Sequence, residues 1–427
     1  MKILSILFIL FLSLQVLAQP PSPAKKQSKR ITLTGGTVHI GNGQVIQNAV
    51  ITFENGKITS VSETSGATVD GSAGEVINIA GKHVYPGIIA PNTRLGLDEV
   101  SAVRATNDFR EVGSINPNVR SLVAYNSDSE LIPTTRSNGV LLAQVVPQGG
   151  IVSGTSSVVQ LDAWNWEDAA YRANDGIHLN WPAMFAQGGE SEPIKKNEQR
   201  VKVLDELNRI FADALTYSRL KKPSPVNLKL ESMQGLFDGS KNLYIHAGYG
   251  KEIIEGIGFA KGHGVKKVVI VGGEDAWMAI DYLKDNNVPV LLSSLHRLPT
   301  RTEDDVDLPF KLPAMLTQAG VLVGLTYDQG PMQIRNLPFL AGQTAGYGLS
   351  KEEALKLITS NNAKILGIES TIGTLEKGKD ATLVVSNGDL LDMRSNQVTH
   401  AFIQGRQIIL DDKHKRLYKR FNDKYSE

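Results

Sequence analysis

The chain has 427 residues, with 45 Lys and Arg against 44 Asp and Glu, for a formal net charge of +1. That length suits one large core with a smaller companion, or two to three ordinary domains, and the neutral balance argues against nucleic acid as a partner, which asks for a basic face. There is no cysteine, so disulfides, thiolate metal sites and thiol nucleophiles are excluded.

Residues 1–18 read as a secretory signal. Lys2 precedes an apolar run from Ile3 to Leu17, and small residues lead to cleavage after Ala18. The expected mature protein is secreted or periplasmic, and with no other run apolar enough to cross a bilayer, no stable membrane span is expected. Residues 19–30, Pro- and Lys-rich, read as a flexible linker. From Ile31 short strands begin. "VITFENGKITSVS" sets Asn55-Gly56 between β-branched runs, a hairpin signal. The far end mirrors it, with "ATLVVSNGD" and "VTHAFIQGRQII" as strands and Asn387-Gly388 and Gly405 as turns.

Between residues 86 and 365 the texture changes to eight short apolar runs, near Val84–Ala90, Val140–Val146, Ser157–Leu161, Ile177–Asn180, Leu243–Ile245, Val268–Val271, Val290–Ser293 and Leu322–Leu325. Clear helical patterns separate the last four, Gly262 offers a helix stop, and Ser350 with Glu353 forms a capping box. Strand–helix alternation of this size is the rhythm of a (β/α)8 TIM-type barrel, with a doubly wound open sheet as the alternative. The segment 197–232 is an insertion before the fifth run, a lid or a long crossover. "VVPQGGIVSGTSS" reads as a Gly- and Ser-rich loop following a strand. "EDDVD" (residues 303–307) reads as a solvated loop. The basic tail 413–427 carries Leu417, Phe421 and Tyr425 at helical spacing, an amphipathic helix expected to pack on the body.

Two stretches carry a resemblance. "YPGIIAPNTRLGL" (residues 85–97) ends an apolar run in Pro-Gly and then turns polar at Asn92 and Arg94, alternate positions that share a direction at a strand end. "GLSKEEALKLITSNNAKILGIESTIGTLEKGKDATLVV" leads from the last barrel helix into the closing strands. From about residue 31 to 410 the chain resembles the amidohydrolase superfamily, imidazolonepropionase-like branch. The resemblance implies a β-sandwich built from 31–85 plus 366–412 beside a barrel of 86–365. It also implies metal-assisted hydrolysis of a carbon–nitrogen bond other than a peptide bond, in a cyclic amide or related small-molecule substrate.

The family's first-strand motif is Pro-Gly, two apolar residues, Asp, any, His, any, His. Here those last polar positions are Ala90, Asn92 and Arg94, so the first-strand ligands are replaced. The resemblance keeps His246 as fifth-strand ligand and Asp328 as the eighth-strand general base, and it puts the sixth-strand His at Gly272 or Gly273. Read as residues, His39, His83 and His400 belong to the terminal strands, His263 to a helix end and His414 to the tail. His178, His246 and His296 remain. His246 and His296 with Asp328 make a two-His, one-carboxylate set for one divalent metal, with Zn the first choice, Mn or Fe the alternatives, and Glu274 a fourth ligand. Asn92, Arg94 and His178 are expected to bind substrate, or Arg94 to pair with Asp328. The competing reading is a catalytically degenerate amidohydrolase that binds a ligand, forms a homo-oligomer or supports a homologous amidohydrolase subunit.

Overall fold

The structure is a computed structural model that describes residues 22–64, 74–186, 195–221, 223–293, 295–327 and 329–426. The expected secretory signal and the start of the expected linker lie outside the described residues, as does Asp328. The chain begins with strands β1 (Arg30–His39), β2 (Val45–Glu54), β3 (Lys57–Glu63), β4 (Gly74–Asn78) and β5 (His83–Pro86). The β2–β3 hairpin turns on Asn55 and Gly56, at φ 52° and 79°, the left-handed pair that a tight hairpin requires. The barrel strands follow: β6 (Ile88–Thr93), β7 (Val140–Val145), β8 (Val152–Gln160) and β9 (Ala170–Asn180). A two-residue ribbon of β10 (Phe185–Ala186) and β11 (Lys195–Lys196) precedes β12 (Asn242–Ala247), β13 (Val268–Gly272), β14 (Val290–Leu292) and β15 (Val323–Leu325). Strands β16 (Leu383–Ser386), β17 (Val398–Ile403) and β18 (Arg406–Gln407) return to the first sheet.

Both ends of the sequence share that first sheet, in the order β18-β17-β16-β5-β1-β2-β3, with β4 beside β1. The sheet coils on itself, since Phe53 on β2 meets Phe402 on β17 edge to face at 5.0 Å. Its apolar core, including Leu33, Ile51, Phe53, Leu383 and Phe402, is separate from that of the barrel. Buried Asp162 ties the two bodies together. It accepts from Arg136 Nη1 at 2.6 Å and from Arg406 Nη1 at 3.0 Å, and also from the Ala24 N–H at 2.9 Å. The described part of the expected flexible linker is therefore fastened to the body, and the Gln27 side chain continues the contact by accepting from the Gly56 N–H.

The second sheet runs β6-β7-β8-β9-β12-β13-β14-β15. The eight expected runs are its eight strands, with one difference. β8 pairs antiparallel with both β7 and β9, while the other pairs are parallel. The chain between Val145 and Val152 is too short for a parallel crossover, which takes about a dozen residues. The Gly- and Ser-rich stretch is thus a hairpin turn and the strand after it. Side chains span the seam between β6 and β15. Asn362 Nδ2 donates to Ile89 O at 2.8 Å and Leu325 O at 3.0 Å, and Thr326 Oγ1 donates to Pro91 O at 2.5 Å. A Cβ on Gly324 would come within 2.0 Å of Asn362 Oδ1, so this stitch needs glycine there.

The insertion is a crossover. Its helix Arg200–Ser218 buries Leu207, Phe211, Ala214 and Tyr217, and Phe211 meets Phe259 of the helix Gly250–Gly262 at 4.9 Å. That helix runs through Gly262, and Gly264 takes the left-handed position at φ 81°. The capping box of Ser350 and Glu353 forms as expected. The tail does not pack as expected, because the helix Lys413–Tyr425 has no buried residue.

Candidate active site

A polar layer fills the barrel below its rim. Asp175, fully buried on β9, accepts from the Tyr244 hydroxyl at 2.7 Å and from Ser156 Oγ and Gln144 Nε2 at 2.8 Å. Burial outweighs these donors and pushes its carboxyl above the usual range. Gln144 Oε1 in turn accepts the Asn92 N–H at 3.0 Å.

His178 lies over this layer. Its ring stacks on Tyr244, centroids 4.6 Å apart and planes 12° apart. His178 and Tyr244 are register partners on β9 and β12, and parallel neighbours in register present their side chains to the same face. His246, two residues further along β12, therefore comes to the same face, and its Nε2 is 2.9 Å from His178 Nδ1. Burial keeps both rings neutral. His178 is held well below its ordinary value, and His246 is brought down to about 4. His178 Nε2 and Asn92 Oδ1 are buried and lack a hydrogen-bond partner among the described residues.

The first strand departs from the expected alternation. The β6–β7 register shifts between Ala90 and Thr93, and Asn92 has φ 52°. Asn92 is buried at this bulge. Arg94 lies just beyond the strand, 3.3 Å from Asp98 Oδ2 and 4.7 Å over the Phe109 ring. The two therefore do not act as a side-by-side pair, and the ion pair described for Arg94 is with Asp98. His296 is exposed, and its Nε2 contacts Gln343 Oε1. Glu274 reaches the ends of β12 and β13, where a Cβ on Gly248 would meet its Oε2 at 2.6 Å. The acidic loop is neutralised locally, with Asp304 near Arg301 and Asp305 near Lys311.

Zinc in a hydrolytic site takes about three protein ligands. Among the described residues no three His, Cys, Asp or Glu side chains are placed to hold an ion. The ring nitrogens of His178 and His246 that face each other are engaged with each other, and the Asp328 carboxylate of the expected set lies outside the described residues. The described donors by themselves do not complete a metal centre. They fit a proton-handling pair, since two neutral imidazoles joined Nδ1 to Nε2 can pass a proton between them. Sequence reading chose His178 for substrate and His246 for metal and missed their pairing. The signal for it was the offset from each residue to its strand end, visible once β9 and β12 are set in register.

Comparison with known proteins agrees with the fold. The amidohydrolase family matches residues 150–408. An imidazolonepropionase of Legionella pneumophila (strain Lens) is 22% identical over 300 residues, 67% of this chain and 68% of that protein. The crystal structure of an amidohydrolase from Thermotoga maritima MSB8 superposes with a TM-score of 0.78 at 25% identity, covering 89% of this chain and 99% of that one. An adenosine deaminase from Xanthomonas campestris with bound zinc shares the fold at a TM-score of 0.57 and 15% identity, over 95% and 99% of the two chains. The family match spans more than half of the chain, and with the coiled terminal sheet and the barrel it identifies this chain as a member of the amidohydrolase family, hydrolases of carbon–nitrogen bonds.

Proposed function

We propose that the chain hydrolyses a carbon–nitrogen bond in a cyclic amide or related small substrate at the barrel rim, with His246 as general base. The observation that carries this reading is the His178–His246 hydrogen bond between two imidazoles held neutral by burial. With the shared proton on His246 Nε2, His246 Nδ1 is free to take a proton from water attacking the substrate carbonyl. His178 Nδ1 then receives the Nε2 proton, and the charge spreads over both rings. In that tautomer His178 Nε2 carries hydrogen, a buried donor complementary to the buried acceptor Asn92 Oδ1. A polar substrate group meeting both would be oriented by them. Asp328, which the resemblance makes the general base, is a second acid–base group in this reading, and export after cleavage at Ala18 remains part of the proposal.

The test is turnover of a panel of cyclic amides across pH, with metal content measured by elemental mass spectrometry on the same preparations. A base with a pKa near 4 gives kcat/KM an acid limb near pH 4. An acid limb near 6.5, or activity that tracks one equivalent of Zn, Mn or Fe, would overturn the histidine mechanism in favour of a metal-assisted one. The second reading, a degenerate barrel serving as a ligand-binding or partner subunit, draws on Arg94, which stands at a first-strand ligand position and is tied to Asp98. Ligand binding without any measurable turnover would support it.

A further inference from the structure

We infer that the helix Lys413–Tyr425 is a docking element for an anionic phospholipid surface. Among the described residues, the polar contacts of this helix with the body come from its first turns. Asp412 caps it by accepting the Lys415 N–H at 3.0 Å, Lys415 Nζ donates to Leu410 O at 2.7 Å, and Arg416 Nη2 stands 3.3 Å from Glu130. From Leu417 to Ser426 every residue is exposed. At 1.5 Å per residue this half projects by roughly 15 Å.

The projecting half has two faces. At 100° per residue, Leu417, Tyr418, Phe421 and Tyr425 fall within one sector about 100° wide. They remain 37%, 74%, 48% and 74% exposed, so the described residues leave much of this stripe uncovered. Lys413, Lys415, Lys419, Arg420 and Lys424 occupy the opposite face and its borders, and Asp423 is the one acid within the helix. Cations around an apolar and aromatic stripe are complementary to a surface with anionic headgroups above an apolar layer. A nucleic acid or acidic peptide would use the charges and leave Leu417 and Phe421 in water. The helix lies on such a surface rather than crossing it, in keeping with the finding that no described helix is long and apolar enough to span a membrane.

The experiment is co-sedimentation of the full chain with vesicles of phosphatidylcholine alone or mixed with phosphatidylglycerol. Binding at least about tenfold stronger to the anionic vesicles is expected, weakened as salt is raised from about 0.05 to about 0.5 M. The double variant Leu417→Ser, Phe421→Ser keeps every charge and should lose about tenfold or more of that binding, with an unchanged melting curve because both positions are exposed. Equal binding to both vesicle types, or binding that survives the double variant, would overturn the inference. So would a concentration-dependent dimer that the double variant abolishes, which would give the stripe to a second copy of the chain.

Discussion

Two histidine pairs in this chain have nearly the same local geometry and different surroundings. In the terminal sheet, His39 Nε2 lies 3.1 Å from His83 Nδ1, while His39 Nδ1 lies 2.6 Å from Glu352 Oε1. A carboxylate only accepts, so it fixes the hydrogen on the ring nitrogen that faces it. His39 donates from Nδ1 to Glu352, and its Nε2 meets His83 Nδ1. In the barrel, His178 and His246 form the same ring-to-ring bond, and among the described residues no carboxylate is bonded to either ring. Their shared proton has two positions open to it. A fixed pair braces a joint, and an open pair can move a proton. The contrast separates a structural role from a chemical one without appeal to residue type.

The largest expected difference between the pairs is in activity. His246→Gln removes the base and should lower kcat/KM by about 10²–10⁴ on any substrate turned over. His39→Gln leaves the rim intact and should stay within about twofold. Comparable losses in both variants, at equal stability, would collapse the distinction.

Acid stability comes next. The pKa of His246 falls from 6.5 unfolded to about 4 folded, so below pH 6.5 the unfolded chain takes up a proton that the folded chain refuses. Stability therefore falls as pH drops from 6.5 towards 4, by on the order of 3 kcal/mol. His83 is also lowered, by burial first and by His39 second, and acts in the same direction. The comparison predicts that replacing both barrel histidines with Phe, if the fold accepts it, flattens most of this slope in denaturant titrations, while His83→Phe flattens less of it. The opposite ranking would mean that the terminal pair governs acid sensitivity.

A smaller effect is expected from Glu352→Gln. The variant keeps the shape but replaces a charge-assisted bond by a neutral one, and Gln can donate where the carboxylate only accepts. A loss of about 1 kcal/mol is expected in thermal or denaturant melts, with the acid limb of the activity profile unmoved.

Much of the fold was legible, and the reasons differ by element. Asn55-Gly56, the Ser350–Glu353 box and the eight apolar runs are local signals, readable because turn geometry, capping and burial act over a few residues. The reversed direction of β8 was also within reach, because the short connection after β7 forbids a parallel crossover. What escaped depends on contacts distant in sequence. The segment "ITSNNAKILGI" carried the family resemblance, yet its physical task, Asn362 stitching β6 to β15, appears only once both strands are placed. The bulge at Asn92 broke the alternation that had joined it to Arg94, and the tail's helical spacing was right while its apolar stripe stays largely exposed instead of packing on the body. At the site, the sequence names His178 and His246 but not their pairing, since pairing is set by strand register.

Asn92 gives the finest test of the open pair, because its backbone and side chain do different things. Its φ of 52° is tolerated by Asn and natural to Gly, so Asn92→Gly relieves the backbone while removing the amide. Its N–H, which donates to Gln144, is retained by glycine. Stability should therefore change by no more than about 0.5 kcal/mol. If Asn92 Oδ1 and His178 Nε2 hold one substrate group between them, KM should rise by about tenfold, equivalent to about 1.4 kcal/mol of binding, with kcat changed far less. A fall in kcat at constant KM would instead assign the amide to the transition state. No kinetic change would leave His178 Nε2 facing the substrate alone, and the rim would then select by the shape of its loops.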